Sequence, residues 1–399
     1  MTVFIDLMGF GIVIPLLPLY AQKFDPSPME FGFLMASFSA MQFLFSPLLG
    51  WLSDRYGRRP VIVISLLGTA AGYVLFAFAH SLPMLFASRV LAGITGGNIG
   101  TAQAVIADVT SGPARARGMG LIGMAFGLGF ILGPAIGGFT VKVDPAAPGL
   151  VAAGLSLTAC LWAALRLPET RPAGMAARGL RLFPGVAFVQ AVKRPGIAAL
   201  LAVSFIATAA FSAFEATFAQ FLSTFYHFSA SHTAWAFVVV GFTSAAVQGG
   251  LLKRLVPRFG EGRLMLAGSI MVGAALFVLL WVPSVAVLFA CIVVMAAGTG
   301  IMNPSLITLV SRRSHAHEQG EILGVLQAMS SLGRIVGPFG GENLLLRTGP
   351  AGAYGTAGIM YAVTTVIIAA GVGTGIHSAE APRAGVTSPA AEKPPQEEE

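Results

Sequence analysis

The chain has 399 residues, of which 55% are hydrophobic and only 10% charged, with a formal net charge of +7. A soluble protein carries about 25% charged residues, so there is too little polar surface here to cover a water-soluble globule. The two cysteines, Cys160 and Cys291, each sit in an apolar run and supply neither a disulfide framework nor a metal site.

Apolar runs of about 20 residues recur along the chain, each long enough to cross a bilayer core as a helix. They lack the polar–apolar alternation of barrel strands. Twelve spans are predicted, at 3–22, 31–52, 60–79, 83–107, 117–141, 149–166, 196–222, 232–252, 263–282, 285–310, 320–346 and 352–376. The first run continues into a full-length segment, unlike a cleavable signal peptide. Segment 167–195 is the one long polar connection, and the stretch from Leu182 to Val192 within it suits a short surface helix. It divides the spans six and six. The expected organisation is an N-terminal six-helix bundle at 1–166, a cytoplasmic linker at 167–195, a C-terminal six-helix bundle at 196–376 and a tail at 377–399. The tail is rich in Ala, Pro and Glu and is expected to be disordered.

Basic residues cluster in alternate connections: Arg55, Arg58 and Arg59; Arg115 and Arg117; Arg166, Arg171, Arg178, Arg181, Lys193 and Arg194; Lys253, Arg254, Arg258 and Arg263; Arg312 and Arg313. The other side has Lys23, Lys142 and Arg347. By the positive-inside rule both termini and the linker are cytoplasmic. This placement accounts for the net charge without nucleic acid, which would need a basic face with aromatic stacking residues.

Five positions recur at one offset. Gly120, Gly129, Gly133, Pro134 and Gly137 reappear 204 residues later as Gly324, Gly333, Gly337, Pro338 and Gly341. The chain reads as two copies of one unit, the arrangement of a transporter built from repeats.

The connection after span 2 reads Gly50-Trp-Leu52-Ser-Asp54-Arg55-Tyr-Gly57-Arg58-Arg59. It resembles the signature loop of the major facilitator superfamily, G-x-L-x-D-R-x-G-R-R, at every specified position. Its glycines allow a tight turn. Asp54 suits the positive N-terminus of a helix in the other half, span 11, as an electrostatic latch, and Arg58 is placed to pair with Asp108 at the end of span 4. The matching stretch in the second half, Gly250 to Gly262, is degenerate, with Arg254 in place of the acid, so the latch is expected to be one-sided.

Span 5, with Gly120, Gly129, Gly133, Pro134, Gly137 and Gly138, resembles the motif of proton-coupled drug antiporters in that superfamily. Small residues on one stripe let backbones approach closely and Pro134 bends the helix, which suits a pivot at the repeat interface. Span 4 begins Arg89-Val-Leu-Ala-Gly93-Ile-Thr-Gly96-Gly97-Asn98 and is similar to the superfamily's R-x-x-x-G-x-x-G pattern. A buried arginine is expensive and functional by default. Gly298 and Asn303 echo Gly93 and Asn98, but Val294 stands where the arginine would be. Span 1, Asp6-x-x-Gly9-x-Gly11-x-x-x-Pro15-x-x-Pro18, is similar to the first helix of tetracycline-type exporters. Gly127-x-Gly129 has no preceding strand to make it a nucleotide loop, and His317-Glu318-x-x-Glu321 lacks the second histidine of a zinc helix.

The resemblance covers residues 3–376. It implies an all-α membrane protein with the major facilitator fold, not an enzyme, exporting small amphipathic compounds across the cell (inner or plasma) membrane. It also implies that protons drive export with no cofactor, that the chain works as a monomer in the lipid bilayer, and that an importer of a sugar or amino acid is the alternative. Asp6, Arg89 and Glu215 are the candidate proton-coupling residues. Asn98, Gln103, Asn303 and Arg334 are candidates for the cavity between spans 1, 4, 7 and 10, with Arg334 neutralising an acid and an acid on a neighbouring helix, or a carbonyl, as the partner of Arg89. Tetracycline exporters are expected to carry further acids in spans 3 and 9. This chain has Ala71-Gly72-Tyr73 and Met271-Val272-Gly273 there, and 29 phenylalanines, which favours a broader lipophilic range. In the resembling proteins apolar residues precede the span 1 acid. Here five residues precede Asp6, none basic, so a longer natural N-terminus is expected. The intact mass of the native protein checks this, and a mass that starts at Met1 refutes it.

Overall fold

A computed structural model describes residues 2–13, 16–171, 184–228, 230–281, 284–315 and 318–373. Arg178, Arg181, His317 and the tail 377–399 lie outside the described residues. Among the described residues the regular structure is helical and no strand occurs. The elements are α1 Thr2–Val13, α2 Leu17–Gln22, α3 Pro28–Tyr56, α4 Arg58–Ala77 and α5 Leu82–Thr95, which passes through a 3-10 turn at Gly96–Asn98 into α6 Ile99–Val109. They continue as α7 Gly112–Thr140, α8 Ala147–Arg166, α9 Pro184–Val192, α10 Pro195–Tyr226 and α11 Ala230–Ala246, which runs through a π turn at Val247–Leu251 into α12 Leu252–Val278. α13 Val285–Arg313 and α14 Gln319–Gly373 complete the described elements.

Among the described residues eight helical stretches are long and apolar enough to cross a membrane. Two of them are double. Trp235–Trp281 is broken at Gly260 and Gln319–Gly371 at Gly349, where φ is +72° and +69°. These left-handed glycines turn the chain so tightly that two predicted spans run together. The first predicted span is the shorter apolar helix Val3–Val13, followed by α2. The fifth is α7, a continuous 29-residue helix. Large apolar side chains face outward, among them Trp281 (83% exposed) and Leu346 (79%), as a lipid-facing surface requires.

Local chemistry sets the helix ends. Ser27 and Glu30 close a capping box at the start of α3. Gly57, with φ +109°, separates α3 from α4 by a single residue. α9 packs against α3, α10 and α14, with the ring of Phe188 5.8 Å from that of Phe43 on α3.

The repeated glycines have repeated partners. Gly129 and Gly133 lie against the backbone of Leu7 and Gly11 on α1, and Gly137 against Ile12. Gly333 and Gly337 lie in the same way against Ala209 on α10, and Gly341 against Ala213. Lower on the stripe, Gly120 meets the Gln248 carbonyl in the π turn, and Gly324 meets Ser46 and Pro47 on α3. The upper part of the α7 stripe therefore packs on α1, its neighbour within the same repeat, and only its first turns reach the other repeat. As a helix α7 also packs on α11, α12 and α13 of the other repeat, so the glycine stripe divides between its own repeat and the interface. Gly138 faces open space, with no atom within 4 Å of where a Cβ would stand.

The contrast supplies a test. Gly133→Val forces a side chain into the Gly11 backbone and is expected to destabilise by about 1–3 kcal/mol, read as a lower melting temperature in detergent. Gly138→Ala is expected to leave that temperature unchanged.

Candidate functional site

At one end of the bundle a network of buried charges ties α3, α4, α6 and α14 together. Asp54, near the C-terminus of α3, accepts hydrogen bonds from the backbone N–H groups of Gly320 (3.1 Å) and Glu321 (2.8 Å), the first turn of α14. A carboxylate there satisfies donors with no partner inside the helix and meets the positive end of its dipole. Gly50 permits the approach, since a Cβ there would collide with the Gly320 carbonyl. Arg58 is fully buried. It donates to Asp54, to Ser53 Oγ (2.8 Å) and, through Nε, to Asp108 Oδ2 (3.0 Å). Arg55 lies over the rings of Trp51 and Tyr56, and Arg59 donates to the Ala164 carbonyl.

Two members of this network were not singled out in the sequence. Glu169 accepts from the N–H groups of Arg58 (2.8 Å) and Arg59 (3.2 Å), capping α4 from the chain that leaves α8. Thr170 donates to Asp108 Oδ2 at 3.2 Å. The available signal was Pro168-Glu169-Thr170, which reads as ordinary linker.

The second repeat holds a pair of opposite polarity. After the Gly260 break, Glu261 accepts two hydrogen bonds of 3.1 Å from Arg312 at the end of α13. In the first repeat the base follows the glycine and the acid ends the fourth span; here the acid follows the glycine and the base ends the tenth. Arg254 is exposed and takes no part. Nearby, Glu318 just before α14 is gripped by Arg194 and accepts the His315 N–H at 3.3 Å. Burial raises its carboxyl pKa, but these bonds outweigh it and hold the group below its ordinary value.

Deeper in the bundle the candidate charges separate into two groups. Asp6 Oδ1 is 3.4 Å from Ser156 Oγ, which also donates to the Leu66 carbonyl at 3.0 Å, near the middle of α8 and α4. Arg89 is 1% exposed, with its guanidinium 5.4 Å from the Phe76 ring centre. Its Nη1 and Nη2 have no hydrogen-bond partner among protein atoms. Asp6 and Arg89 do not form an ion pair, contrary to the expected pairing. Asp6 bonds to α8, Arg89 stacks on α4, and buried Tyr73 stands within electrostatic reach of both.

Glu215 on α10 borders open space and faces Arg334 on α14. Arg334 does not bond to it. Its Nη2 donates instead to Gln42 Oε1 (2.6 Å) on α3 and to Ser331 Oγ (3.0 Å). Gln42, 2% exposed, went unnoticed in its apolar run because nothing local to it reveals a partner nearly 300 positions away. Asn98 and Gln103 are buried, the latter with an unpartnered Oε1, and Asn303 is exposed. No hydrogen bond among the described residues joins these three.

This arrangement, an interhelical charge network at one end and isolated ionisable groups deep between apolar helices, suits the movement of a solute past charged groups rather than covalent chemistry. The family model described as Major Facilitator Superfamily matches residues 1–338 and 200–395. The class B tetracycline resistance protein of Escherichia coli is 32% identical over 348 residues, covering 84% of each chain. The class C protein of Escherichia coli is 34% identical, covering 84% of this chain and 86% of its own. Multidrug resistance protein 1 of Bacillus subtilis (strain 168) is 31% identical, covering 86% and 87%. The crystal structure of the human organic anion transporter MFSD10 (TETRAN) superposes with a TM-score of 0.83 at 25% identity, covering 92% of this chain and 97% of that one. The chain belongs to the major facilitator superfamily and is a multi-pass membrane transporter, not an enzyme.

Proposed function

We propose that the protein exports small amphipathic compounds in exchange for protons by alternating access. Twelve spans would form two six-helix bundles, 1–166 and 196–376, joined by the linker 167–195 and followed by the tail 377–399, with both termini on the basic, cytoplasmic side and the chain acting as a monomer. The observation that carries this reading is the presence of Asp6, Arg89, Glu215 and Arg334 within apolar helices, Arg89 fully buried and Glu215 bordering open space, with no acid–base ion pair among them. A charge held out of water without a salt-bridge partner is costly, and a carboxyl in that setting can change protonation when its surroundings change. The tetracycline and multidrug relatives support export over import.

In the proposed cycle an acid, Asp6 or Glu215, takes a proton from the more acidic outside. Neutralisation permits the return to the cytoplasm-facing state, where proton release accompanies drug binding. The drug shifts the balance only by its differential affinity for the two states, and voltage adds about 2.3 kcal/mol per charge per 100 mV. The Asp54–α14 junction, with Gly50, Gly57, Arg58 and Asp108, closes the cytoplasmic mouth in this cycle. The absence of acids at residues 71–73 and 271–273 favours lipophilic cations and dyes over metal–tetracycline chelates.

Expression in a drug-sensitive host should lower the accumulation of a fluorescent cation, and a protonophore should abolish the effect. Asp6→Asn and Arg89→Ala should each reduce proton-driven export at least tenfold at unchanged protein level. Full export by both variants would remove these residues from the coupling site. Asp54→Asn weakens charge-assisted bonds worth about 1.5–3 kcal/mol. It should raise thiol-reagent access to cysteines placed at the Asp54 end of α3, and unchanged access would rule out the latch.

A further inference from the structure

The α3–α14 seam carries a second polar junction, deep among apolar side chains. Gln42 Nε2 donates to the Gly96 carbonyl at 2.9 Å, where α5 gives way to the 3-10 turn. That bond fixes the amide so that Oε1 faces α14. There it accepts from Ser331 Oγ (2.8 Å) and Arg334 Nη2 (2.6 Å). The half-buried Arg334 guanidinium is thus held by a neutral amide, while Glu215 faces it without bonding.

The placement of the two acceptors differs in one decisive respect. Glu215 and Arg334 sit on α10 and α14, whose backbones meet at Gly333 and Gly337, either side of Arg334. Their relation survives any parting of the seam. Gln42 lies across the seam and is lost when it opens. Among the described residues of α9, α11, α13 and α14, the helices packed on α10, Arg334 is the charged group acting on Glu215. Arg334 then keeps Ser331 Oγ on its own helix, and a guanidinium that has lost its stronger acceptor in a low-dielectric interior gains by finding another.

We propose that Gln42 and Glu215 are alternative acceptors for Arg334, Gln42 with the seam closed and Glu215 with it open. The charge on Glu215 then sets the balance between the two conformations. An ionised carboxylate competes for Arg334 and favours opening. A neutral one releases Arg334 to Gln42 and favours closure. Gln42 is a positioning residue in this scheme, which rests on the proton-coupled reading only for the source of the proton.

The test is the distance distribution between spin labels at Arg117→Cys and Lys253→Cys, both exposed, in the purified full chain carrying Cys160→Ala and Cys291→Ala. Gln42→Leu removes one acceptor and should raise the open-to-closed ratio about tenfold. Glu215→Gln and Gln42→Glu should both move it toward closed, the first by removing the competitor and the second by placing a carboxylate across the seam. If Gln42→Leu fails to fold, the other two substitutions carry the test. Opening by Glu215→Gln, or a common direction for Gln42→Leu and Gln42→Glu, overturns the proposal. Dye flux into wild-type vesicles under an imposed pH gradient separates the two readings. Flux that follows the gradient with unmoved label distances sinks only the acceptor exchange. Flux that ignores the gradient with the expected distance shifts sinks only proton coupling.

Discussion

A carboxylate on the end of a helix is the contact on which the rest of the bundle's cohesion turns. Asp54 supplies to α14 two hydrogen bonds that α14 cannot make for itself. Burial there would be costly without Arg58, and Arg58 would be equally costly without Asp108. Each charge thus requires the next, and the chain of requirements binds α3, α4, α6 and α14 into one joint. Glu169 and Thr170 extend it to the chain leaving α8, so the segment after one helix caps the first turn of another.

Features written in contiguous residues were legible beforehand. The apolar runs located the membrane helices, and the glycine–acid–arginine pattern around Gly57 located the joint. The glycine stripe announced close backbone contact, though only the structure shows that Gly133 meets Gly11 and Gly120 meets the π turn. What escaped was pairing across long separations. Gln42 bonds to Ser331 and Arg334, and nothing in the periodicity around residue 42 encodes that. Charge alone suggested a partner for Arg89, but side-chain direction decided otherwise, turning Asp6 toward α8 and Arg89 onto Phe76. Gly260 and Gly349 fall within the connections that separate the predicted spans, though only the structure shows each reversal turning on a single glycine.

The repeats agree in backbone and differ in chemistry. Glycines 204 positions apart press on corresponding neighbours, α7 on α1 and α14 on α10. Backbone contact of that kind tolerates little change, because any Cβ collides with main chain. Side-chain charges met no such constraint. Asp54 is not matched by an acid at Arg254, and Arg334 sits in only one of the two stripes. Asymmetry of charge on a symmetric scaffold assigns different tasks to the two copies without altering how they pack.

The inverted pair Glu261–Arg312 has a consequence for ancestry. Polarity reversed between copies marks each joint as belonging to its own unit. A gene conversion that pasted the Arg58 loop into the later copy would set guanidinium against guanidinium at Arg312, and the reverse exchange would oppose Glu261 to Asp108. Duplicated segments that have diverged in this way can no longer overwrite one another without penalty, which tends to preserve them as distinct modules of a single gene.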